Sequence, residues 1–262
     1  MGLKEYKRKR NFKITPEPAG TGSKQKPAGT GSKRKSAGTG SKRKPAGKGS
    51  AEKPAARKQK LAFVVQKHRA TALHYDFRLE WKGVMLSWAV PKGPSLDPSV
   101  KRMAMPTEDH PIEYNQFEGV IPEGQYGGGT VMIWDAGTWE PEQDDPGAAL
   151  KKGDLKFTLR GKKLSGSWVL VRLKPRGAES RPAWLLIKHR DTHASDEDIA
   201  ETKPRSVVSK RILAEIARDE GGDIRKAATG DPPGEIRKLL AKKDPLKRKT
   251  RGRPSVWHSN RP

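Results

Sequence analysis

The run L-H-Y-D-F-R-L-E-W-K-G-V-M-L-S-W-A-V, from Leu73 to Val90, reads as two strands joined by a tight turn. Side chains on a strand alternate between faces, so Tyr75, Phe77, Leu79 and Trp81 fall on one side and His74, Asp76 and Arg78 on the other. Lys82-Gly83 is a two-residue hairpin turn. It sets Trp81 against Val84, Leu79 against Leu86, Phe77 against Trp88 and Tyr75 against Val90, four apolar pairs in one register. On the polar face Arg78 looks across at Ser87, Asp76 at Ala89 and His74 at Pro91. Those small neighbours leave room for a metal and a ligand.

His68, in the run just before His74, adds a third donor. Two histidines and an aspartate suit Mn, Fe or Zn. A lone His-x-Asp on a strand also describes a structural hydrogen-bonded pair, but Arg78 beside the carboxylate carries a planar fork shaped to grip a phosphate. A non-haem iron oxygenase uses the same facial set of ligands. The tight grouping at 68, 74 and 76, with separate basic residues nearby, favours phosphate chemistry instead.

Charge divides the 262-residue chain. Residues 1–60 hold 19 basic and 3 acidic residues, residues 242–262 hold 8 and 1, and the centre is nearly balanced at 28 and 26. A near-neutral centre of this length can bury one core. The basic flanks call for a polyanionic partner, most simply nucleic acid. No apolar run approaches a membrane span and the N-terminus lacks a signal-peptide apolar core, so a cytoplasmic, nucleoid-associated protein with no membrane partner is expected. The chain has no cysteine, which excludes disulfides and thiolate metal sites.

Three parts follow from the order of the chain: a basic arm over 1–60, a folded domain over 61–220 and a basic tail over 221–262. In the arm, Leu3, Tyr6, Phe12 and Ile14 stand among the charges as apolar anchors, and from Pro18 a nine-residue repeat of the form P-A-G-T-G-S-K-R-K runs to Lys53. Such a composition cannot form a core and is expected to be a flexible, charge-bearing linker. The domain opens with a strand from Leu61 to Gln66. A polar cluster, Lys101, Arg102, Glu108, Asp109, His110 and Tyr114, lies on a proline-bounded, site-facing loop. The loop P-E-G-Q-Y-G-G-G lacks the ending of a P-loop and is expected to be a tight turn lining the site. Thr130 to Asp135 is a strand turning at Ala136-Gly137. Three more strands are expected over Asp154–Arg160, Leu164–Leu173 and Ala183–His189. A helix capped by Ser206 carries Val208, Ile212, Leu213 and Ile216. In the tail, Arg251-Gly252-Arg253-Pro254 reads either as an arginine pair for a narrow A·T minor groove or as a generic basic tail.

The motifs F-V-V-Q-K-H, L-H-Y-D-F-R-L-E, S-W-A-V-P-K-G-P-S, P-T-E-D-H-P-I-E-Y and F-E-G-V-I-P-E-G-Q-Y-G, with W-L-L-I-K-H-R-D and S-V-V-S-K-R further on, resemble the 3′-phosphoesterase domain of DNA ligase D. The resemblance covers nearly the whole centre. It implies a mainly β fold, a small β-barrel with a few peripheral helices, here carrying disordered basic tails. It implies metal-dependent trimming of DNA 3′ ends: removal of a 3′-terminal ribonucleoside, then of the 3′-phosphate, to leave a ligatable hydroxyl. His68, His74 and Asp76 match the family's Mn2+ ligands, where other divalent transition metals could also sit. Arg78, Lys92 and Arg102 match its phosphate grips, and His110 a catalytic histidine oriented by Tyr114. Gln66 and Glu108 match supporting positions.

The family's N-terminal segment K-R-D-F-x-x-T-x-E-P is matched by Lys9 to Pro18, which puts Arg10, Asn11 and Glu17 at the substrate. Asn11 stands where an aspartate is usual, keeping a hydrogen-bonding group and losing the charge. The resemblance also implies primer-template DNA 3′ ends, the Ku end-binding protein and a separate DNA ligase as partners in end joining. A DNA-binding accessory protein on the same barrel, without catalysis, is the other class that the basic arms allow.

Overall fold

The Leu73–Val90 hairpin forms in the expected register, with Tyr75 opposite Val90, Phe77 opposite Trp88, Leu79 opposite Leu86 and Trp81 opposite Val84. Lys82 and Gly83 both take positive φ, as a primed two-residue turn requires. The computed structural model describes residues 2–20, 60–175 and 182–242. The nine-residue repeats beyond Gly20 and the Arg251 to Pro254 motif lie outside the described residues.

Nine strands are present: β1 (Leu61–Arg69), β2 (Leu73–Trp81), β3 (Val84–Val90), β4 (Arg102–Pro106), β5 (Gly119–Ile121), β6 (Gly129–Pro141), β7 (Asp154–Gly161), β8 (Ser165–Arg172) and β9 (Trp184–Lys188). Every pairing is antiparallel, in the order β1-β2-β3-β4-β9-β8-β7-β6, and β1 then pairs with β6 to close an eight-stranded barrel. Closure removes the sheet edges. β5 adds to the outer side of β6 at its start. The interior is filled by Phe63, Phe77, Trp134, Trp139, Phe157 and Trp168, all fully buried.

The register explains how β1 supplies the third donor. His68 is directly opposite His74 and Gln66 opposite Asp76, so all four share one face of the β1–β2 pair. A bulge between Val65 and Gln66 opposite β6 leaves Trp134 as the extra residue. Such a bulge bends a strand locally.

Ala136-Gly137 is not a turn. β6 runs unbroken through it, and Gly137 pairs with Gly161 at the point where β1 and β7 flank the same strand. A Cβ at Gly137 would lie 2.1 Å from the Arg160 carbonyl oxygen. The glycine therefore marks a close backbone approach inside a strand. Gly137→Ala is expected to cost about 2 kcal/mol or more, a fall of roughly 4–8 °C in Tm, read by thermal unfolding; an unchanged Tm would refute the close approach.

Helices decorate the barrel. At the N-terminus α1 (Lys4–Arg8) seats Tyr6, fully buried, whose hydroxyl donates to the Pro18 carbonyl at 2.6 Å. α2 (Pro146–Lys152) joins β6 to β7, and α3 (Ile199–Thr202) is capped by Asp198. The expected helix from Ser206 begins later. Ser206 Oγ accepts from the Val208 and Ser209 amides in a turn, Val207 N donates to the Ile133 carbonyl, and only from Leu213 does α4 (Leu213–Asp219) start. The hydrogen bond to β6 commits this stretch to the barrel wall, and Val208 is left exposed. α5 (Ile224–Ala228) and α6 (Pro233–Lys242) follow, so ordered helices extend past residue 220 into the segment expected to be a tail. Among the described residues no helix is long and apolar enough to cross a membrane.

Candidate active site

The polar face of β1 and β2 opens into a cleft of about 160 Å³, lined among others by Arg10, His68, His74, Asp76, Arg78, Glu108, His110, Tyr114 and Tyr126. Within it stand His68, His74 and Asp76, with one donor atom from each within 4.8 Å of the others. His68 Nε2 lies 2.8 Å from the Gly127 carbonyl, which holds the proton on that nitrogen and turns the Nδ1 lone pair toward Asp76 Oδ2, 3.6 Å away. His74 is held the other way round. Its Nδ1 faces the Ala72 carbonyl at 3.1 Å, leaving Nε2 free toward Asp76 Oδ1 at 3.8 Å. Carbonyls that fix the outer nitrogens of two histidines are the usual outer support of a metal site. Burial, above all, lowers the pKa of His74 and favours the neutral ring a metal needs. Burial alone would raise Asp76, but the Arg78 guanidinium and the two histidines hold it well below the usual carboxylate range. The donors present therefore fit a divalent transition-metal ion.

Arg78 organises the floor. It is 2% exposed, and its guanidinium meets Gln66 Oε1 at 2.9 Å, Ser87 Oγ at 2.7 Å, His110 Nδ1 at 2.8 Å and Asp76 Oδ2 at 3.2 Å. Gln66 is in turn anchored through its amide to the Tyr114 and Phe117 carbonyls. One buried side chain thus links the metal cluster to His110.

His110 reaches the cleft because residues 107–110 cross β3 by isolated bridging, with Met85 N bonded to the His110 carbonyl and His110 N to that of Met85. His110 Nδ1 lies 2.8 Å from both the Glu108 carbonyl and Arg78 Nη1, and Nε2 lies 3.2 Å from Arg10 Nη2. Burial and the charges of Arg78 and Arg10 push its pKa well below 6.5. His110 is therefore a neutral ring at neutral pH. Unfolded imidazoles take up protons near pH 6.5 that native His74 and His110 refuse. Stability should fall as pH drops below about 6.5, an effect that thermal unfolding between pH 7.5 and 5.5 would register and that His110→Asn should reduce.

The N-terminal arm builds the opposite wall. Arg10 pairs with Glu17 at 2.8 Å and Glu108 at 2.9 Å, all three side chains being at most 5% exposed. Glu17 also accepts from the Tyr114 hydroxyl at 3.0 Å and from Thr15 Oγ1 at 2.8 Å. Burial and Glu17 raise Tyr114 well above its ordinary pKa, so it stays a phenol and orients rather than ionises. Lys9 bonds Glu108 at 3.1 Å and the Tyr126 hydroxyl at 3.2 Å.

Of the thirteen residues singled out in the sequence, eight line the cleft, and Gln66 and Glu17 stand directly behind it. The other three neither line it nor back a residue that does. Asn11 is exposed and its Oδ1 accepts from the Lys13 amide. Lys92 is exposed two residues past β3, and Arg102 opens β4 with a buried Nε lacking a hydrogen-bond partner. Sequence reasoning missed Ser87, Lys9 and Tyr126 as members of the site. Ser87 was legible as the small residue across from Arg78, and Lys9 as the first residue of the N-terminal segment that carries the resemblance. A larger groove of about 330 Å³ lies elsewhere, lined by Trp81, Glu140, Glu142 and Asp144 among others. Its carboxylates carry the wrong charge for a phosphate ligand.

A closed antiparallel barrel with a His-His-Asp cluster and a buried guanidinium in one cleft defines a small β-barrel protein with a candidate metal centre. Residues 66–172 match the family described as the DNA ligase D 3′-phosphoesterase domain, and it is this segment that belongs to that family. It is 46% identical over 214 residues to the multifunctional non-homologous end joining protein LigD of Pseudomonas aeruginosa, covering 80% of this chain and 22% of that protein. It is 44% identical over 141 residues to the multifunctional non-homologous end joining DNA repair protein LigD of Mycobacterium tuberculosis, covering 53% of this chain and 17% of that one. The chain thus spans about a fifth of the length of these curated relatives.

Proposed function

We propose that this chain is a metal-dependent DNA 3′-end phosphoesterase acting in end joining, removing a 3′-terminal ribonucleoside and then the 3′-phosphate to leave a hydroxyl. The observation that carries the reading is Arg78, which touches both Asp76 of the candidate metal cluster and His110. Metal, phosphate grip and proton-handling group would then lie around one point. Arg10 and Arg78 are already committed to carboxylates, so an entering phosphate needs further positive charge. Bound by His68, His74 and Asp76, Mn2+ or a similar ion would supply that charge and lower the pKa of a water at an open position.

The chain's own groups do the rest. Arg78 turns toward the non-bridging oxygens, aided by its planar fork. His110, neutral and held by the Glu108 carbonyl, accepts or returns a proton at Nε2. Tyr114 and Glu17 fix Arg10, which flanks that nitrogen. The excess of basic residues at both ends binds backbone phosphates without reading sequence. Ku and a separate ligase are the partners this reading implies, with a cytoplasmic, nucleoid-associated site of action.

The test is a primer-template ending in one ribonucleotide, incubated with Mn2+ and resolved for 3′-phosphate and 3′-hydroxyl products. Conversion to 3′-hydroxyl supports both steps, and accumulation of 3′-phosphate would mean that only the first is retained. Tight DNA binding without conversion would leave the accessory-protein reading instead.

A further inference from the structure

Among the described residues Tyr126 is the one Phe, Tyr or Trp side chain that is exposed, at 48%, while every other such ring is buried or half-buried. It stands at the mouth of the cleft that holds His68, Asp76 and His110. Its backbone is pinned. Gln125 and Gly128 close a turn through a 2.9 Å hydrogen bond, Gly127 takes φ +77°, and the Gly127 carbonyl holds His68. The ring is therefore presented on a rigid loop one residue from a support of the metal cluster. Lys9 sits 4.6 Å over it and 3.2 Å from its hydroxyl, and Arg10 lies 5.5 Å from its centre.

An exposed aromatic face rimmed by cations beside a phosphoester site is the chemistry of a nucleobase platform, since every base offers a π-face and every flanking phosphate a negative charge. The position also restricts which base it takes. The Lys9–Tyr126 contact joins the N-terminal arm to the loop beside the cleft. A ring this near His68 and His110 is within reach of the nucleoside attached to the reacting phosphate. We propose that Tyr126 stacks on the base of the 3′-terminal nucleoside, with Lys9 holding the ring in place. The inference rests on the phosphoesterase reading and adds to it the residue that recognises the departing nucleoside.

The test compares primer-templates whose 3′ end is a ribonucleotide or the same sugar without its base, bound by the full chain in chelator so that no turnover occurs. Affinity is read by fluorescence anisotropy for wild type, Tyr126→Phe and Tyr126→Ala. Loss of the base is expected to weaken binding about tenfold for wild type and Tyr126→Phe and to leave Tyr126→Ala unaffected. A wild type indifferent to the base, or an alanine variant with the full tenfold penalty, overturns the proposal. With Mn2+ restored, Tyr126→Ala should lose about tenfold in kcat/KM, through KM, on the ribonucleotide-ended primer and markedly less on a 3′-phosphate primer. An equal loss on both would assign the ring to holding the His68 loop and overturn the stacking role. Base-dependent binding without hydrolysis of either primer would support the platform and remove the phosphoesterase reading alone.

Discussion

Asp76→Asn is expected to abolish both metal binding and 3′-end conversion while leaving the barrel folded. Asp76 is the donor that both histidine lone pairs face, at 3.6 and 3.8 Å. Loss of its charge should weaken Mn2+ binding by more than the roughly 10–100-fold that an outer supporting group contributes. Conversion should fall on the order of a thousandfold or further. Free Mn2+ measured by electron paramagnetic resonance during titration gives the first quantity and the primer gel the second. Both variants remove the counter-charge of Arg78, 2% exposed, but asparagine keeps an oxygen that accepts from its guanidinium, whereas alanine leaves that donor unpaired. Removing one partner of a buried pair costs about 3–5 kcal/mol, so Asp76→Ala should also unfold at lower temperature. Mn2+ affinity unchanged in Asp76→Asn would remove the candidate metal centre altogether.

His110→Gln separates the second half of the site from the first. The ring touches no proposed ligand, but it stands between Arg78 and Arg10 at 2.8 and 3.2 Å. Proton transfer by a positioned side chain contributes roughly 10²–10⁴-fold. Hydrolysis is therefore expected to drop by that much with Mn2+ affinity preserved. A variant retaining activity within tenfold of wild type would take His110 out of the chemistry and leave the protons to water.

The hairpin was legible because its information is local: a period of two, a Lys-Gly turn and four apolar pairs allow one register. His68 was legible by type but not by position, since its place opposite His74 depends on β1 pairing with β2 over seven residue pairs. Gly137 misled because a glycine forced by a neighbouring backbone has the same letter as a turn glycine. The Ser206 segment misled similarly: its apolar spacing is helical, yet a hydrogen bond from Val207 to β6 takes the chain into the wall. Arg10, Glu17 and Tyr126 enter the site from segments far from the hairpin. The resemblance pointed to the first two; physical spacing in the sequence could not, because their meeting with His110 depends on tertiary packing.

The N-terminal arm has one more consequence. Residues 2–20 supply Arg10 and Glu17 to the cleft, yet residues 21–59 stand between them and the barrel. The two pieces meet at a concentration fixed by the tether rather than by the amount of protein present. A single cut anywhere in 21–59 would make that meeting bimolecular. The cleft of the cleaved protein would then assemble in proportion to protein concentration, and a synthetic peptide of residues 1–20 would restore it on dilution.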